Sequence, residues 1–231
     1  DGHGENHCNN RKGTALWQYL TLLLASRLKI CNSHTPKMTL TEYLHQETQI
    51  NTETLAFINS LFEQQEYKKY HLLLKEGSYS KQLFYVEKGL LRLFYNKEDK
   101  DITHTFLLEQ MFYFPVENIY FSQPSLFSLE TLEDSVVWVA SFPEVERVIN
   151  EHQELERLMR FLLVSAIKSL TERLHTIKFQ TAQERYDLLL HTYPQILLRA
   201  PLGHIASLLG ITQQTLSVIR GATRTGDKGV K

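Results

Sequence analysis

Twenty residues near the C-terminus, Pro201 to Arg220 (PLGHIASLLGITQQTLSVIR), constrain the fold more than any other stretch of the chain. Ile205, Ala206, Leu208 and Leu209 give one apolar helical face, and Leu216 and Ile219 resume that spacing after a break. Gly210 stands where a helix ends in a left-handed residue, a conformation that glycine adopts at little cost. Thr212 then offers a hydroxyl to cap a second helix. Ala206, one turn before Gly210, is small enough for the second helix to cross closely. Small residue, turn glycine and N-cap in this order predict a helix-turn-helix, with an ordinary helical hairpin in a core as the alternative. In the first reading the second helix enters the DNA major groove.

The length of 231 residues leaves room for two domains, and a formal net charge of -1 does not advertise nucleic acid. The distribution of charge says more. Residues 178–231 carry seven Lys or Arg (Lys178, Arg185, Arg199, Arg220, Arg224, Lys228, Lys231) against Glu184, Asp187 and Asp227, a local balance of +4. That is a modest phosphate-binding footprint, meaningful only beside the helix-turn-helix. The two cysteines, Cys8 and Cys31, form no CxxC, and nothing in the sequence has metal-ligand spacing. A cysteine-free remainder fits a reducing, cytoplasmic setting.

Residues 1–37 read differently from the rest, as a polar start followed by an interrupted apolar run from Ala15 to Ile30. We expect an upstream extension outside the fold, with Met38 opening the regular pattern. A genuine extra helix and a signal-peptide core are the alternatives, and the run is too broken for a transmembrane span. From Thr39 to Tyr67 the period is helical, with Asn51 or Thr52 as a cap. It then becomes two: HLLLKEG (71–77), LFYVEKG (83–89), LLRLFYN (90–96), ITHTFLL (102–108), LFSLETL (126–132) and VVWVA (136–140) predict short strands of a sandwich or jelly roll. Helical spacing returns at Pro143. Glu144–Asn150 predicts a short helix, and residues 151–179 a long one with a seam of Leu155, Leu158, Leu162, Ala166, Leu170, Leu174 and Ile177. Sustained steps of three and four predict a dimerisation helix, the alternative being a helix packed on its own sheet. A further helix over 182–191 ends at Tyr193-Pro194.

β-roll, seam helix and C-terminal helix-turn-helix, in that order, resemble the Crp/Fnr family of transcription regulators. The resemblance spans Thr39 to Arg220. It rests on Gly77 and Gly89 with LFYVEKG between them and on IASLLGITQQTLS at 205–217, a stretch similar to that of a Bacteroidetes-type branch. It implies an α+β chain with four parts after the extension. These are a double-stranded β-helix (jelly-roll) effector domain over 38–142, a dimerisation helix over 143–179, a winged-type helix-turn-helix over 180–221, and a flexible tail over 222–231. It further implies a homodimer on palindromic double-stranded DNA, with RNA polymerase and a small-molecule effector as partners and no membrane. By position, Thr212, Gln213, Gln214, Thr215, Ser217, Val218 and Arg220 face the groove and its phosphates.

Two departures qualify that picture. Nucleotide-binding members of the family hold the phosphate with amides and an Arg, as anion chemistry requires. Residues 109–130 (EQMFYFPVENIYFSQPSLFSLE) contain no Gly, Arg or Lys, so cyclic AMP binding is not expected. Phe112, Phe114, Glu117, Tyr120 and Phe127 would line an apolar effector pocket or else fill a core. Val218 stands where relatives carry an Arg that reads guanine, and the second helix is expected to stop at Gly221. With no cysteine after residue 31 and no paired histidines, no metal or other cofactor is implied. No nucleophile–base pair or phosphate loop argues for an enzyme. A small-molecule sensor or interaction module with a vestigial helix-turn-helix is the alternative function.

Overall fold

The computed structural model describes residues 38–226 except residue 99, with side chains to residue 221. The expected extension over 1–37 and the end of the tail lie outside these residues.

Two short helices open the fold, α1 (Leu40–Glu47) and α2 (Thr52–Ser60). Thr39 caps the first in a capping box with Glu42, and Asn51 caps the second by accepting the Thr54 amide at 2.8 Å. Such caps contribute about 1 kcal/mol each. Strand β1 (Phe62–Tyr67) follows directly, where the helical spacing had been expected to run on to Tyr67. The correction has a tertiary cause. FEQQEY is polar, but its backbone pairs along β8 (Ser135–Ser141), from Phe62 opposite Ala140 to Tyr67 opposite Ser135.

The other strands are β2 (Leu72–Leu74), β3 (Gln82–Lys88), β4 (Leu91–Lys97), β5 (Lys100–Leu107), β6 (Phe112–Tyr113) and β7 (Ser128–Thr131). They form two four-stranded antiparallel sheets, ordered β1-β8-β3-β6 and β2-β7-β4-β5. A short helix, α3 (Val116–Tyr120), bridges β6 and β7. Gly89 is required at the β3–β4 turn: φ is +115°, and a Cβ there would lie 2.1 Å from Ser135 Oγ.

β3 explains the packing. Its run of apolar residues does not alternate with polar ones because both of its faces are covered. Phe84 and Val86 point between the sheets with Leu91, Leu93, Leu129 and Val137, while Leu83 and Tyr85 meet α1, α2 and the following helices. The second sheet is also covered outside. Phe106 and Leu108 join Ile205, Ala206 and Leu209 in a third core.

Pro143 lies in the first turn of α4 (Phe142–Glu151), and α5 (Gln153–Phe179) is the long helix. α6 (Ala182–Thr192), α7 (Ile196–Arg199), α8 (Leu202–Leu209) and α9 (Gln213–Gly226) complete the chain. No strand follows β8 among the described residues, so α6 and α7, rather than a wing hairpin, flank the helix-turn-helix. α9 runs through Gly221 instead of stopping there, because a lone glycine costs a helix only about 1 kcal/mol. Among the described residues no helix is long and apolar enough to cross a membrane.

Candidate nucleic-acid interface

The helix-turn-helix is built as its residues dictate. α8 buries Ile205, Ala206 and Leu209, then ends at Gly210 with φ 67° and ψ 34°. The Gly210 and Ile211 amides donate to the last carbonyls of α8, so the turn leaves neither of them unpaired. Thr212 Oγ1 accepts the Thr215 amide at 3.1 Å and so caps α9. Leu216 and Ile219 are buried, which fixes the face of α9 that meets α8. Thr212, Gln213, Gln214, Thr215, Ser217 and Val218 are exposed on the remaining faces, and Arg220 is half-buried. The Gln213 amide lies over Gly203, where an added Cβ would come within 3.1 Å of Nε2. The exposed residues offer hydroxyls, two amides able to pair with adenine edges, and Val218, an apolar contact for a thymine methyl.

The basic balance around this face is partly spent inside the chain. Arg199 donates to Glu109 Oε1 at 2.6 Å and to Glu133 Oε1 at 2.7 Å. Arg185 donates to the carbonyls of Leu209 and Gln180. These bonds join the helix-turn-helix to the β-roll and to α6. Sequence reasoning had grouped both arginines with the phosphate candidates.

The seam expected on the long helix divides. Leu155 and Leu158 are buried, and Leu162 packs against them, all in the chain's own core with α1, α2 and β3. Their burial in the chain's own core leaves Leu155 and Leu158 little surface to offer a partner, because α5 starts beneath the β-roll. Beyond them Ala166, Leu170, Leu174 and Ile177 are exposed, together with Leu163, Val164 and Ile167. Residues 163, 167, 170, 174 and 177 keep the alternating four-three spacing of a coiled-coil seam.

The aromatic effector candidates divide: Phe112, Phe114 and Tyr120 pack on one core cluster, and Phe127 on another. Phe112 packs on Tyr85 and Tyr43, with ring centroids 4.8 and 5.5 Å apart, and Phe114 packs on Phe142 at 5.1 Å. Tyr120 meets Phe142 by an edge and stays half exposed. Phe127 belongs to the other sheet, 4.4 Å from His104. Burial, with the Arg173 charge second, lowers the pKa of His104 to about 4. The Glu117 carbonyl accepts from the Phe121 and Gln123 amides. Where a phosphate would be cradled, the buried Asn118 ties the loops together. Its Oδ1 accepts the Ser80 amide at 2.9 Å, and its Nδ2 donates to the carbonyls of Ser78 and Gln123. The Ser125 amide is likewise taken by the Ser78 carbonyl. The Ser80 and Ser125 amides are thus committed within the chain, and residues 109–130 contain no Lys or Arg.

Residues 64–152 match the family described as Cyclic nucleotide-binding domain. No curated protein matches the chain by sequence. Among solved structures, FixK2 from Bradyrhizobium japonicum superimposes with a TM-score of 0.63 at 17% identity, covering 72% of this chain and 86% of that one. A CooA mutant from Carboxydothermus hydrogenoformans gives 0.59 at 20% identity, with 83% and 87% covered. A protein assigned as a Crp/Fnr-family transcriptional regulator, from Eubacterium rectale, gives 0.60 at 14%, with 79% and 87% covered. Likeness at such identity is a likeness of fold. Residues 64–152 are thus similar to the cyclic nucleotide-binding domain family, and the described chain has the fold of the Crp/Fnr transcription regulators.

Proposed function

We propose that the protein is a homodimeric transcription regulator of the Crp/Fnr type that reads a palindromic DNA site through residues 212–220. The observation that carries this reading is the helix-turn-helix itself. α9 is held by Leu216 and Ile219, while Thr212, Gln213, Gln214, Thr215, Ser217 and Val218 face outward. That leaves one helix of the right polarity free for a major groove. The exposed apolar stripe from Leu163 to Ile177 supports pairing of two copies along α5, which would bring two such helices to one DNA. The commitments of Asn118 and the absence of a cation over 109–130 support an effector domain that does not take cyclic AMP. RNA polymerase and a small apolar effector belong to the proposal only by family resemblance. Val218, in place of a guanidinium, favours a second reading: a sensor or interaction module whose helix-turn-helix no longer selects sequence.

A binding selection from random duplexes, followed by titration of the enriched site, separates the two. The regulator reading expects enrichment of a palindrome, and Gln213→Ala or Gln214→Ala to relax base preference at one position per half-site. The expected loss is about 1–3 kcal/mol for each bidentate contact removed. No enrichment over random duplex refutes sequence-specific reading and leaves the module.

A further inference from the structure

The helix-turn-helix is not a free head. α8 lies along β5, where the Thr103 amide donates to Ser207 Oγ at 2.9 Å, and His204 reaches Arg92 beneath it. Arg92 is one of the most deeply buried side chains of the fold. Nε donates to Thr103 Oγ1 at 3.0 Å, Nη2 to Asp101 at 2.6 Å, and Nη1 to Glu130 at 2.9 Å. The second hydrogen of Nη1 points to His204 Nε2 at 3.1 Å. A guanidinium has only donors and stays charged, so Nε2 must present its lone pair and the imidazole must be neutral. A proton on that nitrogen would set two N–H groups head to head and a second cation against a buried one.

We propose that this contact is a proton-gated clasp: the head is docked on the β-roll while His204 is neutral and is released when His204 takes a proton. The charged groups facing His204 are Arg92 from β4, Asp101 from β5 and, through Arg92, Glu130 from β7. Asp101 favours the proton, but it is half exposed and already bonded to Arg92. Burial first, then Arg92, holds the His204 pKa below its usual range against the pull of Asp101. The docked ring thus binds its proton less well than the undocked ring. Docking is at full strength above about pH 6.5 and weakens as pH falls, by at most about tenfold per pH unit, until the docked ring itself is protonated. Arg199 makes the other ionic contacts of the interface, and its pair with Glu109 does not titrate in that window. Burial alone would raise the Glu109 pKa, but its bonds to Arg199 and to the Gly89 amide bring it below the ordinary carboxylate value. The reading face of α9 is exposed in the docked state, so the clasp sets where the head sits rather than whether α9 is accessible.

The test needs no DNA and is therefore independent of the proposed regulator function. The Thr103 amide resonance of the full-length 15N-labelled protein is followed from pH 7.5 to 5. It should hold the docked shift near neutrality and move towards an undocked position with a midpoint below about 6.5. His204→Gln, which accepts from Arg92 but does not titrate, should keep the docked shift throughout. Glu130→Gln should retain the wild-type profile. His204→Arg, permanently charged, should show the undocked shift at every pH while each domain stays folded by methyl spectra. A flat wild-type profile, a profile surviving in His204→Gln, one lost in Glu130→Gln, or a docked His204→Arg overturns the clasp. If His204→Gln undocks outright, the wild-type profile and His204→Arg decide.

Discussion

Ile167→Glu is the sharpest probe of assembly, because the structure separates residues that hold the chain's own fold from residues facing outward. Ile167 is 63% exposed, the most exposed member of the stripe it forms with Leu163, Leu170, Leu174 and Ile177. Fully burying an Ile or Leu side chain contributes about 1.5–3 kcal/mol, so covering the exposed part of Ile167 contributes roughly 1–2 kcal/mol per copy. Both copies lose it in the variant. Each also brings a carboxylate that must be desolvated or protonated at the seam, at a further cost of about 1 kcal/mol or more. The total, about 4–6 kcal/mol, raises the dimer dissociation constant by roughly three to four decades. Sedimentation equilibrium from nanomolar to high micromolar concentration reads that shift directly. Leu162→Glu is the contrasting change: Leu162 packs on Leu155 and Leu158 inside the fold, so it should lower the melting temperature rather than selectively dissociate a dimer. A wild-type protein monomeric at tens of micromolar, or an Ile167→Glu dimer of unchanged affinity, refutes pairing along this stripe.

Three further outcomes follow from local geometry. Gly89→Ala combines a φ of +115° with a Cβ 2.1 Å from Ser135 Oγ, and should cost about 2–5 kcal/mol in urea unfolding; a cost below about 1 kcal/mol would mean that the turn relaxes freely. Cyclic AMP should give no saturable heat in titration calorimetry up to millimolar ligand, and micromolar binding would refute the reading of the Asn118 loop. The His104 ring should show no proton titration by NMR above about pH 5, since burial and Arg173 lower its pKa to about 4. Because the unfolded ring takes its proton near pH 6.5 and the folded one does not, His104 also makes stability fall as pH drops from about 6.5 towards 4. A titration midpoint near 6.5 would place the ring in solvent instead.

What the sequence made legible was local, and what it hid was pairwise. Asn51, Gly210 and Thr212 cap or end helices through atoms within four residues of themselves, so their spacing alone predicted the geometry found. β1 was not legible, since FEQQEY has little apolar alternation and becomes a strand only because β8 offers it an edge. The seam divided for a different reason. Leu155, Leu158 and Leu162 recur in the same mixture of three- and four-residue steps as Leu163, Ile167 and Leu170, and periodicity cannot tell which partner covers a stripe. For the candidate interface, the exposed residues of α9 were readable. The buried guanidinium of Arg92 was not, because LLRLFYN looks like a strand with one solvated face. Its only signal was a charge inside an apolar run, with Asp101 on the next strand to receive it.

Charge counting erred at the same place and for the same reason. A balance of +4 over residues 178–231 treats every cation as available to phosphate. Arg199, however, is held by two carboxylates of the β-roll, and Arg185 by two carbonyls. Moving either onto DNA would break charge-assisted bonds that are partly shielded from water, and moving Arg199 would leave Glu109 and Glu133 without their partner. In the docked arrangement Arg199 therefore acts as adhesion between the C-terminal helices and the β-roll, while Arg185 ties α6 to the end of α8. In the proposed reading, contact with a nucleic acid would draw, among the described residues, on the cap and amides at the start of α9 and on Arg220. The apparent footprint of the C-terminal region thus reports two uses of positive charge, and two of its four described cations, Arg185 and Arg199, are spent within the chain.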